Sequence, residues 1–393
     1  MRKCFVFIFL SLILVGEVVV STSDSPEATA YNNQRKVRFF VPVSDVLGVV
    51  YTGYGNACWA VSQDNGRTWD TGIIDAGGYP ALDVRIIFSS LTLSQVIPWP
   101  WYEWYAVWKR EEGPEVWPPS WEKWWLYGGK SGPSFLDPHP YTWSVGVIDS
   151  GVVSAPEVAG GGYSPPAVEN DGVYNHVVWE EVVSWVRGDV WYYAWKLYYA
   201  KYDEDWVLVG NVEVIDSMVR TGSAVVPLSP SITVDYNGNP HVVYEKNDTV
   251  WYVTRESGTW STPYRLNLSG RPAGEPFISF WGEAVYAIWR ETDPVSGLGE
   301  IYWQERNLTT GQWELYPQVP PSLDLSMDNH WPQMVAGEYV TWSERDTATD
   351  DWDVRLVGPG VDFDTDDPVN SRYSQIDYSD HGYVALVWTR GND

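Results

Sequence analysis

The sequence predicts an all-β propeller of six or seven four-stranded blades, and three observations carry that prediction. First, a short β-branched or apolar run ending in an aromatic recurs seven times: Val49-Val50-Tyr51, Ala106-Val107-Trp108, Val177-Val178-Trp179, Val242-Val243-Tyr244, Ala287-Ile288-Trp289, Val340-Thr341-Trp342 and Leu386-Val387-Trp388. The aromatics lie 57, 71, 65, 45, 53 and 46 residues apart, which is blade spacing with loops of varying length. Second, each run is preceded by another strand-like run. In the clearest case Ser231-Ile232-Thr233-Val234 meets Pro240-His241-Val242-Val243-Tyr244 across an Asn237-Gly238 turn, a β-hairpin signal. Third, helical periodicity is nearly absent; only Ser120-Trp121-Glu122-Lys123-Trp124-Trp125 suggests a short helical turn.

Taken in order, the blades are expected at about 36–78, 79–155, 163–218, 229–270, 275–320 and 331–362. Residues 370–390 supply a seventh inner hairpin with no outer strands after it. Either N-terminal strands complete a seventh blade, or a six-bladed ring closes by mixing both chain ends; both remove exposed sheet edges. Several inner strands open on X-Pro, as at Tyr79-Pro80, Ser164-Pro165, Glu275-Pro276 and Trp331-Pro332, where proline removes no ladder bond. Third strands such as Val250-Trp251-Tyr252-Val253 and Ile301-Tyr302-Trp303-Gln304 follow, then turns marked by Trp69, Trp143, Trp206, Trp260, Trp313 and Trp352. Blade 2 carries the large insertions, 89–104 and 111–122. The second is rich in Pro and Trp and is placed to overhang a site.

Met1-Arg2-Lys3 followed by the apolar run Cys4 to Gly16 has the form of a secretory leader. Residues 1–30 are expected to be a signal peptide and disordered N-terminus, and 31–393 a single propeller that is exported, soluble and monomeric. No later apolar run approaches the roughly 20 residues of a spanning helix. Cys4 leaves with the leader, so Cys58 has no internal disulfide partner. The net charge of −27 argues against nucleic acid and anionic membranes as partners. Against 10 Phe there are 26 Trp and 26 Tyr, amphipathic rings suited to packing between blades with a polar tip, or to stacking on sugars.

One turn is distinctive. Ser62-Gln63-Asp64-Asn65-Gly66-Arg67-Thr68-Trp69 reads S-x-D-x-G-x-T-W at the end of the strand-like run Ala57-Cys58-Trp59-Ala60-Val61. Asp64 can accept N–H bonds across the turn, Gly66 can take positive φ, Thr68 can bond locally and Trp69 can fold back as an apolar plug. This octapeptide resembles the Asp-box of the sialidase (BNR-repeat) propellers at each fixed position, while Glu256-Ser257-Gly258-Thr259-Trp260 keeps part of it. The resemblance spans about 36–390 and implies a sialidase-like propeller whose Asp-box side lies away from the active site. Turns after third strands then mark the bottom, and residues after second strands mark the top. The top residues are Lys109, Arg110, Glu180, Glu181, Glu245, Lys246, Arg290, Glu291, Glu344, Arg345, Thr389 and Arg390, with Arg38 and Arg372 expected near the same face.

In sialidases three arginines grip a substrate carboxylate, with a Tyr–Glu nucleophile pair and an Asp acid/base. The resemblance therefore offers Arg38, Arg290, Arg345 and Arg372 as carboxylate holders and Glu180 or Glu245 as catalytic partners. Here the family's Arg-Ile-Pro is replaced by Arg38-Phe39-Phe40-Val41-Pro42, and no tyrosine or aspartate stands out for the remaining roles. The alternative is that these Arg and Glu pair with one another across blades.

Asp362-Phe363-Asp364-Thr365-Asp366-Asp367 alternates carboxylates as a Ca²⁺ loop would, but lacks the turn Gly and bidentate Glu, and is expected to be a solvated loop. His176 and His241 occupy equivalent places before second strands, suggesting a repeated structural role. With 5 His and no His/Cys cluster, neither a metal nor a cofactor is expected. The function expected is a non-catalytic extracellular module that binds glycan or protein through Trp117, Trp121, Trp124, Arg110, Glu181 and Arg390. The alternative is a divergent exo-acting glycoside hydrolase.

Overall fold

The computed structural model describes residues 2–10, 13–14, 18–23, 36–39, 46–54, 56–76, 81–89, 101–112, 121–131, 134–135, 143–154, 166–187, 190–221, 228–320, 323–365, 370–379 and 383–391. Among these every regular element is a strand, and the strands form seven sheets. Six are contiguous antiparallel blades, with strands A to D running outward from the axis. Their A strands are Val37–Phe39, Ala81–Ser89, Ala167–Asn170, Ser231–Val234, Ala273–Trp281 and Asp328–Val335. Their B strands are Leu47–Gly53, Trp101–Glu112, Asn175–Arg187, Pro240–Glu245, Ala284–Thr292 and Tyr339–Arg345.

The seventh sheet joins the two ends of the chain. Ser371–Tyr378 and Val384–Arg390 are its A and B strands, and Arg2–Leu10 pairs along the outer edge of the latter. Val18–Ser23 in turn pairs with Arg2–Leu10. Residues with the form of a leader thus pair as outer strands of this sheet. Successive A strands neighbour one another around the whole circle, blade 7 against blade 1 included.

Side-chain acceptors on one blade lace the backbone of the next. Ser231 Oγ accepts the Ile278 N–H, Glu275 the Trp331 N–H at 2.6 Å, Gln333 Oε1 the Ile376 N–H, and Asp377 the Phe39 N–H at 2.7 Å. The last of these bonds crosses the seam between blades 7 and 1. Buried backbone donors need such partners, and each bond fixes one blade's height against its neighbour.

All seven recurring aromatics are buried, and Trp108, Tyr244, Trp289 and Trp342 are fully enclosed. Period-2 alternation directs each into the wedge between two blades. Trp289 packs with Val243, Tyr252 and Leu266 of blade 4, for example. Burying a large aromatic removes about 150–250 Å² from water, or about 4–6 kcal/mol gross at about 25 cal/mol per Å². Three of the indole N–H groups have carboxylate acceptors: Trp289 donates to Glu291 at 3.0 Å, Trp342 to Glu344 at 3.3 Å and Trp108 to Asp75 at 3.1 Å.

The Asp-box turn has the expected geometry. Asp64 accepts the Thr68 N–H at 2.8 Å and its hydroxyl at 2.7 Å, and Ser62 Oγ accepts the Gly66 N–H. Gly66 has φ +79°, and the Trp69 indole donates to the Gly66 carbonyl while packing on the blade 1 core. Residues 121–125 form no helical turn; Trp121–Ser131 is the C strand of blade 2, held along its length by strands on both sides. Trp352 opens the C strand Trp352–Gly358 of blade 6, so it is not a C–D turn residue and belongs to the top.

Candidate functional site

The top of the ring over blades 4 to 7 carries a repeated backbone device. Glu275, Trp331 and Tyr373 occupy equivalent places in three consecutive A strands, each at a β-bulge and each with positive φ, +53°, +51° and +59°. Ser229 precedes the blade 4 strand with φ +41°. A non-glycine residue held there costs about 1–2 kcal/mol. The bulge re-aims one side chain per blade, which brings together a carboxylate, an indole and a phenol.

The carboxylate anchors a chain of charges. Glu275 Oε1 meets His330 Nδ1 at 2.9 Å, His330 Nε2 meets Asp328 Oδ2 at 3.0 Å, and Asp328 Oδ1 takes the Arg290 guanidinium at 2.8 Å. Burial alone would lower the His330 pKa, but the flanking Glu275 and Asp328 raise it to about 9, so the ring is charged at neutral pH. His330 and Arg290 in turn outweigh burial at Glu275 and hold it ionised. Glu245, at the end of the blade 4 B strand, is the opposite case. Burial first, and then the Glu275 carboxylate, raise its pKa to about 8. Its carboxyl lies against Gly274 and leaves no room for a Cβ there. At neutral pH one half-buried carboxyl is thus largely protonated beside another that is ionised.

Beside this chain sits an aromatic platform. Trp331 stacks on Trp352 at 5.1 Å and meets Tyr373 at 4.3 Å, with His330 also in ring contact. The Arg372 and Arg345 guanidiniums lie 4.9 Å and 5.7 Å over the Trp352 ring. Trp331 and Tyr373 are partly exposed.

The expected arginine clamp is not assembled. Arg38 is not at the top: Phe39 opposes Leu47 next to the A–B connection, so Arg38 lies towards the bottom of the channel. There it pairs with Glu169 at 2.7 Å and Asp377 at 3.8 Å. The Arg290 nitrogens are all engaged, by Asn329 O, Thr292 Oγ1 and Asp328. Arg345 holds Asp350 at 2.6 Å.

Glu180 accepts the Leu228 N–H, Glu181 accepts the Tyr198 hydroxyl at 2.7 Å, and Arg390 ends the blade 7 B strand. Tyr198–Glu181 and Tyr302–Glu300 are tyrosine–carboxylate pairs in B and C strands. At Tyr302, burial and Glu300 raise the phenol pKa to about 12, the wrong direction for a nucleophile. Trp117 lies outside the described residues; Arg110, Trp121 and Trp124 lie in blade 2 strands, and their side chains are outside the description.

Elsewhere, Asp362 and Asp364 pair with Arg355, while Asp366 and Asp367 of the same acidic stretch lie outside the described residues. His176 and His241 play the same structural role twice: each meets a C-strand tyrosine and an A–B turn aspartate, Tyr199 with Asp171 and Tyr252 with Asp235. Among the described residues no His/Cys/Asp/Glu group of three or more is placed to hold a metal ion.

No family model matches the sequence, and no curated protein matches it. Among solved structures the chain is similar to the α-L-arabinofuranosidase Arb93A from Fusarium graminearum, with 12% identity, 91% of this chain and 98% of that one covered, and a TM-score of 0.44. It is also similar to a subtype N10 neuraminidase-like protein of A/little yellow-shouldered bat/Guatemala, at 8% identity, 80% and 94% coverage and a TM-score of 0.40. Trypanosoma rangeli sialidase matches at 13% identity, 91% and 55% coverage and a TM-score of 0.36.

Proposed function

We propose that this chain is an exported, glycan-binding propeller whose ligand sits on the top face over blades 4 to 7. The observation that carries this reading is the trio Glu275, Trp331 and Tyr373, presented side by side by three strained bulges. Strain of that kind persists only where surrounding structure enforces it, and it gathers at binding sites. A sugar offers a C–H face for an indole or phenol and hydroxyls for a carboxylate. The test is a glycan array probed with the full chain, then Trp331→Ala and Tyr373→Ala. Binding should fall at least tenfold in Trp331→Ala; unchanged binding in both variants would remove the site.

A second reading, a divergent glycoside hydrolase, is favoured by one observation. Glu245 is a neutral acid beside ionised Glu275, and glycoside hydrolysis uses one carboxyl as proton donor and a second as base or nucleophile. Binding without turnover is preferred, because Glu275 already accepts bonds from His330 and the Trp331 N–H. Turnover of any arylglycoside that is abolished in Glu245→Gln would reverse that preference.

A further inference from the structure

We propose that Asn247, on the top of blade 4, is a site at which the chain itself is glycosylated. The sequence holds three Asn-x-Ser/Thr triplets, Asn247-Asp248-Thr249, Asn267-Leu268-Ser269 and Asn307-Leu308-Thr309. That triplet is the acceptor signal for transfer of a sugar to the asparagine amide, and it acts on the surface loops of exported chains. The fold treats the three differently. Asn247 and Asp248 are exposed and form the two-residue turn between the B and C strands of blade 4, with φ +57° and +54°. Asparagine tolerates that left-handed backbone better than most side chains. The Lys246 N–H closes the turn on the Thr249 carbonyl at 2.8 Å, and the Thr249 hydroxyl donates to the Asn247 carbonyl at 3.2 Å.

The Arg220 guanidinium of blade 3 donates to Asn247 Oδ1. A guanidinium can only donate, so this contact fixes the amide with its oxygen towards blade 3 and its nitrogen away from it. Among the described residues Asn247 Nδ2 makes no hydrogen bond. Asn267 is the opposite case. It is fully buried, its Oδ1 accepts the Val250 N–H at 3.0 Å, and its Nδ2 donates to the Arg271 carbonyl at 3.1 Å. The Ser269 hydroxyl is also spent, on Glu291. Asn307 is half-buried, its Oδ1 accepts the Thr310 N–H at 2.9 Å, and Leu308 beside it packs on the blade 5 core. Transfer at Asn247 joins Nδ2 to the anomeric carbon of a sugar carried on a polyprenyl diphosphate. The bond from that carbon to the phosphate oxygen breaks, the diphosphate leaves with the electron pair, and Nδ2 gives up one proton.

The experiment incubates the folded full chain with an oligosaccharyltransferase and a lipid-linked oligosaccharide, and maps the modified asparagines by peptide mass. Synthetic peptides of residues 242–252, 262–272 and 302–312 give each triplet's intrinsic acceptor strength under the same conditions. Relative to its own peptide, Asn247 should be modified at least about tenfold faster than Asn267, which must wait for local opening, and ahead of Asn307. Thr249→Ala removes the triplet's hydroxyl while leaving the positive-φ asparagine in place, and should abolish modification at Asn247 alone. A folded chain left unmodified at Asn247, or modified as readily at Asn267, overturns the inference. So does a 242–252 peptide that accepts no sugar. Each of these results leaves the glycan-binding reading standing, because Asn247 is the acceptor of a covalent sugar and no part of the ligand platform.

Discussion

Glu245 makes a prediction that can be worked through to a number. Its pKa rises from 4.5 to about 8 in the folded chain, with burial as the first cause and Glu275 as the second. Between those two values the folded state holds a proton that the unfolded state has released, so the unfolded state binds fewer protons and stability falls as pH rises. The contribution is neutral below about pH 4.5, and the penalty grows until pH passes about 8. A displacement of about 3.5 pH units, at about 1.4 kcal/mol each, sets an upper bound of about 5 kcal/mol, and relaxation and water entry reduce it to about 2–4 kcal/mol.

Glu245→Gln keeps the shape and cannot ionise. The assay is guanidinium unfolding of both proteins at half-unit intervals from pH 5 to 9, with the difference in free energy plotted against pH. The variant should gain on the native chain by about 2–4 kcal/mol across that range. His330 titrates in both proteins and largely cancels in the difference. Parallel pH profiles would show that Glu245 ionises normally, and would remove it as a neutral hydrogen-bond donor and as a candidate acid.

Three further outcomes follow from packing and turn geometry. Arg38→Met leaves Glu169 and Asp377 facing one another in the channel without their cation, and should lower stability by about 3–5 kcal/mol by denaturant unfolding. Gly274→Ala drives a methyl into the Glu245 carboxyl; a loss of about 1–3 kcal/mol is expected, together with a changed pH profile, which a purely steric effect elsewhere would not give. Asp64→Ala removes the bonds from Ser62 and Thr68 that close the Asp-box turn; a loss of about 1–2 kcal/mol is expected in thermal unfolding, with glycan binding unchanged because the turn is on the opposite side.

Much of the ring was legible because its signal is local. The B strands announce themselves by alternation ending in an aromatic, and every one of those aromatics is buried where the period placed it. The strand bounds of blade 4, Ser231–Val234 and Pro240–Glu245, could be read off the Asn237-Gly238 turn. The site was less legible. Glu275-Pro276 and Trp331-Pro332 were visible as strand heads, but a bulge inserts one residue and reverses the facing that alternation predicts, so neither side chain could be assigned to the mouth.

Trp352 follows Asp350-Asp351 and resembles a worn Asp-box, yet the C–D turn of blade 6 is at Pro359-Gly360, a full strand later. Arg38 was misplaced for a related reason. Its height depends on where the A–B connection starts, and residues 40–42 read equally well as a continuing strand. Pairing of arginine with carboxylate across blades was legible as an alternative, but the partners were not, because Arg290 and Asp328, or Arg38 and Glu169, come from different blades and no sequence spacing encodes that proximity.

The seam between blades 7 and 1 has a consequence for biogenesis. A chain made from its N-terminus outward can stack blades 1 to 6 as they emerge, but Asp377 and the Val384–Arg390 strand arrive after all six. Until then the Phe39 N–H lacks its acceptor and Arg38 lacks one of its two anions. The ring therefore latches only once the 371–390 hairpin has been made, and a chain arrested before it is an open horseshoe with two sticky edges. Closure of the ring thus depends on this hairpin, whichever blades have formed before it.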